Sequence, residues 1–209
     1  MTGEELLERL LESFQSSYDI ERNCRIGVEI FEAYAAFRAA NAKYVLVKSA
    51  ELWRAECFEH VFFRVAKREL TPEDVGRFRS MILTQIEPEF VRHGEKYPPK
   101  DHMYTYMTMI YICESGMTEK ARDAIRSFRY VKNYKLTIRG YSEARILVFD
   151  LKNGQISGNR AAKELVKGYK KLGIGGMKYE WCNSFSSRHS NPYHCLPYIW
   201  KMACKAVGN

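Results

Sequence analysis

The stretch AELWRAECFEHVFFRVAKRE, residues 50–69, sets Glu51, Glu56, Glu59, Glu69 and His60 among Arg54, Arg64, Lys67 and Arg68. These are the residue types from which a metal-dependent nuclease centre is built, with carboxylates holding a divalent cation that activates water against a phosphodiester. Such a centre needs an acidic residue on one strand and a carboxylate-x-Lys pair on the next, because spacing by two puts carboxylate and ammonium on the same face. Two residues after Glu56 stands Phe58, and two after Glu59 stands Val61. The stretch therefore fails the spacing. The nearest approximations are Glu143-Ala-Arg145 and Asp150-Leu-Lys152. Glu143, Asp150, Lys152, Glu56 and Glu59 are the catalytic candidates, each weighed against an ordinary surface or sheet-edge ion pair. Glu32, Glu51, Glu56 and Glu59 would form a metal site if neighbouring strands brought them together, since clustered carboxylates repel unless a cation or proton separates them. A divalent metal is expected only on this nuclease alternative, and no other cofactor is predicted.

The other metal-ligand types lie near the carboxyl end. Cys182, His189 and His194, with Cys195 and Cys204, follow a Cys-x6-His-x4-His-Cys-x8-Cys pattern without the paired spacing of structural zinc sites. Buried thiols and hydrogen-bonded histidines account for them more simply. The six cysteines are scattered, so reduced thiols are the default. GIGG at 173–176 follows a helix and lacks the strand-turn-helix setting of a phosphate loop, and no nucleophile elbow is present. His102 reads as a structural histidine at a sheet end.

Charge gives a second kind of candidate. Residues 1–119 carry 15 Lys and Arg against 20 Asp and Glu, net −5, and residues 120–209 carry 18 against 5, net +13. Such asymmetry reads as an electrostatic footprint for nucleic acid or another polyanion, and equally as two halves of one globule attracting each other or a solvated surface kept soluble, the latter two readings together carrying more weight. Arg126, Arg129, Lys135 and Arg139, with Lys132, form one basic run, and Arg160, Lys163, Lys167, Lys170 and Lys171 form a second. Interleaved Tyr130, Tyr134 and Tyr169 would serve as stacking platforms only if exposed, and their parity assigns them mostly to the core.

The elements that must position these residues follow from periodicity. Leu6, Leu7, Leu10, Leu11 and Phe14 recur opposite Glu4, Glu5, Glu8 and Glu12, predicting an amphipathic helix over 3–17. CRIGVEIFEAYAAF at 24–37 reads as a strand, AANAK as a turn, and a meander of about three strands ends in HVFFRVAK. Thr71, Pro72 and Asp74 start a helix with Val75, Phe78, Met81, Ile82 and Ile86 as its buried stripe. MYTYMTMIYIC at 103–113 is apolar on both parities, as a central strand covered on two faces must be. A Thr118-capped helix follows, with Ala121, Ala124, Ile125 and Phe128 on one side. YVKNYKLTIRG alternates, with Tyr130, Tyr134, Leu136 and Ile138 pointing one way and Lys135, Thr137 and Arg139 the other, and a hairpin at Gly140 leads into EARILVFDL. A basic helix over 159–172 closes the order αβββαβαββα. The expectation is an α+β fold with a mixed or antiparallel sheet of about six strands flanked by helices. Residues 1–172 form the domain, and 173–209 a carboxyl-terminal wrap whose Trp181 and Trp200 would be costly to leave in water.

The helix, three strands, helix and strand at its start resemble the order of elements in restriction-endonuclease-like folds, a fold-level analogy that carries no activity. FEAYAAF, KSAELW, HMYTYMT and GYSEARILVFDL resemble a family of small bacterial proteins of unknown function found chiefly in clostridia-like lineages, over most of residues 15–170. That resemblance implies a bacterial cytoplasmic setting and transfers no catalytic residue. The acidic amphipathic amino terminus is unlike a secretory signal, and the longest apolar run is far short of the roughly 20 residues a membrane helix requires. The leading expectation is a non-enzymatic polyanion-binding or nucleic-acid-associated module without a membrane partner. A metal-dependent nuclease or phosphodiesterase and a protein-interaction or homodimerising module are the alternatives.

Overall fold

The computed structural model describes residues 1–44 and 51–173. Thr2 Oγ1 accepts from the Glu5 N–H while Glu5 Oε2 accepts from the Thr2 N–H, a capping box that starts α1 (Gly3–Phe14) and satisfies two otherwise orphaned donors. All five apolar residues of its predicted stripe are buried. β1 (Asp19–Ile26), β2 (Glu29–Tyr44) and β3 (Glu51–Ala66) then form an antiparallel meander.

Two boundaries within that meander differ from expectation. The chain reverses after Ile26, where Gly27 takes the left-handed φ of +59° that most side chains avoid, so residues 24–37 divide between two strands. AANAK, expected as a turn, lies within β2. Its alanines are weak strand formers, but β3 alongside offers their backbone groups partners in register, Ala40 opposite Glu56 and Ala42 opposite Arg54.

Thr71, Pro72 and Asp74 form the expected capping box of α2 (Pro72–Met81), and Val75, Phe78, Met81, Ile82 and Ile86 are all buried. The helix then widens into a π-helical segment, Ile82–Val91, with Pro88 inside it. Proline has no N–H to donate, and its ring collides with the carbonyl four residues earlier in an α-helix, so the wider winding removes the clash. β4 (His102–Cys113) follows, then α3 (Glu119–Ser127), capped by Thr118. β5 (Val131–Asn133), β6 (Tyr141–Asp150) and β7 (Gln155–Gly158) come next, and a 3-10 turn at Arg160–Ala162 leads into α4 (Lys163–Lys171).

The result is a mixed α+β fold with a seven-stranded sheet in the order β1-β2-β3-β4-β6-β5, β7 pairing with β6 beside β5. β4 is central and parallel to both β3 and β6, which explains its apolar residues on both parities. Helices cover both faces. α1 and α4 pack on one through Val61, Phe63, Ile110, Ile112, Leu147 and Phe149. α2, the π segment and α3 pack on the other through Phe62, Met107, Met109, Ile146 and Val148. Alternate residues of each strand thus serve separate cores.

The second half of YVKNYKLTIRG departs from its expected alternation. Pairing ends at Asn133, and Lys135, Leu136 and Thr137 adopt left-handed φ values of 47°, 54° and 73°. Tyr134 goes into the core, but Leu136 and Ile138 stand 92% and 78% exposed. The β5–β6 loop closes on itself, Tyr134 N–H donating to the Gly140 carbonyl and Arg139 N–H to that of Tyr134, so backbone pairing rather than apolar burial decides its shape.

Candidate functional site

On the α1/α4 face, Glu59 replaces an apolar residue in the row Cys57, Glu59, Val61, Phe63 and is buried. A buried carboxylate is tolerated only when its oxygens are hydrogen-bonded and its charge is met. Tyr18 Oη donates to Glu59 Oε2 at 2.8 Å, Thr108 Oγ1 donates to Oε1 at 2.8 Å, and Arg145 Nη1 lies 3.6 Å from Oε1. The Arg145 guanidinium lies over the Tyr106 ring at 3.2 Å, with its Nε sealed from solvent without an acceptor. Burial, then the neighbouring Glu59 charge, raises the Tyr18 hydroxyl pKa above its ordinary value, so Tyr18 stays a donor.

The catalytic candidates do not gather around this carboxylate. Strand register places Glu59 opposite Tyr106 and Tyr106 opposite Glu143, so the two carboxylates sit two strand spacings apart, on the order of 10 Å. Arg145 covers the tyrosine between them. Glu56 is on the other parity of β3, paired with Arg38 at 2.6 Å. Asp150 is buried at the far end of β6, accepting from the backbone and side-chain amides of Asn153, and Lys152 lies in the turn that follows. Glu32 accepts from the Val65 N–H beside Arg64. Among the described residues no three His, Cys, Asp or Glu side chains come together as a metal-holding group. Cys182, His189 and His194 lie outside the described residues, as does the wrap beyond Gly173.

The opposite face has its own buried carboxylate. Glu87, from the π segment, receives Arg92 Nε at 2.7 Å, Lys132 Nζ at 3.0 Å and Tyr134 Oη at 2.8 Å, and Tyr134 Oη also bonds Ser142 Oγ at 2.9 Å. Burial alone would raise the Glu87 carboxyl, but hydrogen bonds from Arg92, Lys132 and Tyr134 outweigh it and hold the group below the ordinary carboxylate range. Two histidines lie on this side of the sheet. His102 Nδ1 meets the Arg139 carbonyl and Nε2 meets Thr105 Oγ1, both at 2.8 Å, an arrangement that suits the neutral tautomer with the proton on Nδ1. Tyr104 and Tyr106, close to it in sequence, point to the other face. His60 is packed against Tyr34 and Phe90, and burial pushes its pKa down to about 4.

The basic residues divide between the two sides. Arg126, Arg129, Lys135 and Arg139 belong to the α3–β5 side, and Arg160, Lys163, Lys167, Lys170 and Lys171 to the α4 side. Contacts link the first set to cations of the acidic half. Arg79 Nη1 donates to the Arg129 carbonyl, Arg92 and Lys132 share Glu87, and Lys96 and Lys135 both lie near the Tyr97 ring. A separate cavity of about 300 Å³ lies between α2 and the carboxyl-terminal parts of β3 and β4, with Phe31, Leu70, Phe78 and Met109 in its wall. Its cations are already matched: Arg64 with Glu29, Arg68 and Arg77 with Asp74, and Lys67 with Glu4.

Glu59 was singled out by sequence, but Tyr18, Thr108 and Glu87 were not. Their signal was a polar residue at a core position, Thr108 within MYTYMTMIYIC and Glu87 between Ile86 and Pro88. Such a residue requires a partner but does not reveal which distant one it meets.

A mixed seven-stranded sheet covered by helices on both faces defines an α+β domain. The chain belongs to the family described as Domain of unknown function (DUF8052), whose model matches residues 2–171. No curated protein and no solved structure matches it. Among the described residues, no helix is long and apolar enough to cross a membrane.

Proposed function

We propose that this protein is a non-enzymatic binding module for a polyanion, with nucleic acid as the ligand class, and that it binds through the α3–β5 edge. The observation that carries this reading is the convergence there of cations from both halves of the chain: Arg79, Arg92 and Lys96 join Arg126, Arg129, Lys132, Lys135 and Arg139. Buried Glu87 fixes Arg92 and Lys132 by two short ion pairs, so two of the cations are ordered before any ligand arrives. Arg126, Arg129 and Lys135 remain exposed. Phosphate neutralisation needs only such cations, and their counterion release makes affinity fall steeply with salt. The sequence resemblance to small bacterial proteins supports a bacterial cytoplasmic setting, where nucleic acid is abundant.

The nuclease alternative has less support, because Arg145 occupies the space between Glu59 and Glu143, and Glu32, Glu56 and Asp150 are engaged elsewhere. Fluorescence anisotropy with labelled single- and double-stranded DNA and RNA over a salt series, with magnesium or manganese present and then chelated, tests the reading. Metal-independent binding that weakens steeply with salt and leaves the nucleic acid intact is expected. No binding at low salt would sink it, and metal-dependent cleavage would replace it with the nuclease.

A further inference from the structure

The left-handed turn at residues 135–137 is the most unusual backbone among the described residues. Three consecutive non-glycine residues with positive φ are unfavourable at each position, because the side chain crowds its own carbonyl. The fold gains no core packing from it, since Leu136 and Ile138 project into solvent and Val131 on β5 is 58% exposed. The turn is nevertheless held from below. His102 Nδ1 bonds the Arg139 carbonyl, Arg139 Nη1 donates to the Pro98 carbonyl at 3.2 Å, and Tyr134 is anchored by Glu87 and Ser142. Gly140 (φ +71°) lies so close to β4 that a Cβ there would stand 2.0 Å from the Met103 carbonyl oxygen. Strain held by such a base without internal gain marks a feature kept for what it presents.

What it presents is a pair of aliphatic side chains between Lys135 and Arg139. From this tip the cations continue through Lys132 and Arg129 to Arg126. Chain extended at about 3.3 Å per residue separates Lys132 from Arg129 by about 10 Å, with the two on alternate sides of the chain, so the charge is drawn out along the chain as a track away from the tip. A track suits a phosphate backbone, and a protruding aliphatic pair suits the apolar interior of stacked bases. Resting on the binding reading above, we propose that the ligand is duplex DNA and that Leu136 and Ile138 form a wedge that enters a base step from the minor groove while the cations hold the flanking phosphates. Aliphatic wedges of this kind unstack a step and bend the duplex.

The test compares the wild-type protein with the L136S/I138S double variant on a short duplex labelled at both ends, on heparin, and on phosphatidylcholine vesicles with and without phosphatidylglycerol. Both residues are exposed, so the variant keeps its fold, which a thermal melt verifies. The wild type should shorten the end-to-end distance of the duplex by energy transfer. The variant should bind the duplex about tenfold more weakly, because burying an aliphatic side chain is worth at least that much. Its salt slope and heparin affinity should be unchanged, and bending should be lost. Bending and affinity equal to wild type would overturn the wedge while leaving phosphate binding intact. Tip-dependent capture on anionic vesicles without an effect on the duplex would overturn it in favour of a lipid surface. Absence of salt-dependent binding to the duplex by the wild type itself would overturn the wedge together with the reading on which it rests.

Discussion

Glu59 and Glu87 are buried carboxylates on opposite faces of the sheet, and the fold uses them in opposite ways. Glu59 turns its charge inward, meeting Tyr18, Thr108 and a guanidinium that is only 13% exposed. Glu87 turns its charge outward, meeting Arg92 and Lys132, whose side chains are 21% and 44% exposed. The chemistry is the same in both cases: a buried anion must be matched by donors and cations. The difference lies in where those cations end, in a sealed sheet face or at an edge that a ligand can reach. Burial thus makes Glu59 a structural device and Glu87 an organiser of the surface.

Removing the inward charge should have the largest effect. Glu59→Leu leaves Arg145 without its counter-charge, and a denaturant titration should show a loss of about 3–5 kcal/mol. Glu59→Gln keeps a hydrogen-bonding group and should lose less, and neither variant should change binding at the α3–β5 edge. A loss of binding to nucleic acid in a folded Glu59→Gln protein would erase the distinction between the two carboxylates.

His60 supplies the next effect. Its folded pKa, pushed down to about 4, lies below the ordinary 6.5, so the unfolded chain takes up the proton first as pH falls. The stability gained by holding His60 neutral is full above about pH 6.5 and is lost progressively down to about pH 4, a change of about 3 kcal/mol. Unfolding free energies over that window should follow this slope in the wild type and flatten in His60→Phe. Glu87 acts lower, because a carboxyl held below its ordinary 4.5 loses its contribution only as pH drops beneath that value. The two windows are therefore separable.

The smallest effect is an increase in stability. Leu136→Gly relieves one left-handed non-glycine residue and should raise stability by about 1 kcal/mol in a thermal or denaturant melt, while weakening duplex binding. A protein made more stable and less active by one exposed substitution would show that the strain serves the edge rather than the core.

Much of this architecture was legible in the sequence because it is local. Thr71, Pro72 and Asp74 announced a helix start, and the two-parity apolar run of residues 103–113 announced a central strand. What escaped depends on distant partners. YVKNYKLTIRG alternates like a strand, but no neighbour continues pairing beyond Asn133, so the same pattern carries Leu136 and Ile138 into solvent. Pro88 lies inside the continuation of the helix begun at Thr71, and the π winding that accommodates it is not legible in composition. The basic residues were visible as charges, but only the sheet separates Arg126, Arg129 and Lys135 from Lys163, Lys167 and Lys170.

That separation gives the most direct test of the proposed binding edge. Duplex DNA affinity and salt slope would be measured by anisotropy for two charge-reversal sets, R126E/R129E/K135E on the α3–β5 side and K163E/K167E/K170E on α4. The first set should abolish binding or shift the slope of log K against log salt by about 3, roughly one for each lost phosphate contact, and the second should leave the slope close to wild type. Equal losses from both sets would mean that only net charge matters, and a loss confined to the α4 set would place the binding surface on the other face.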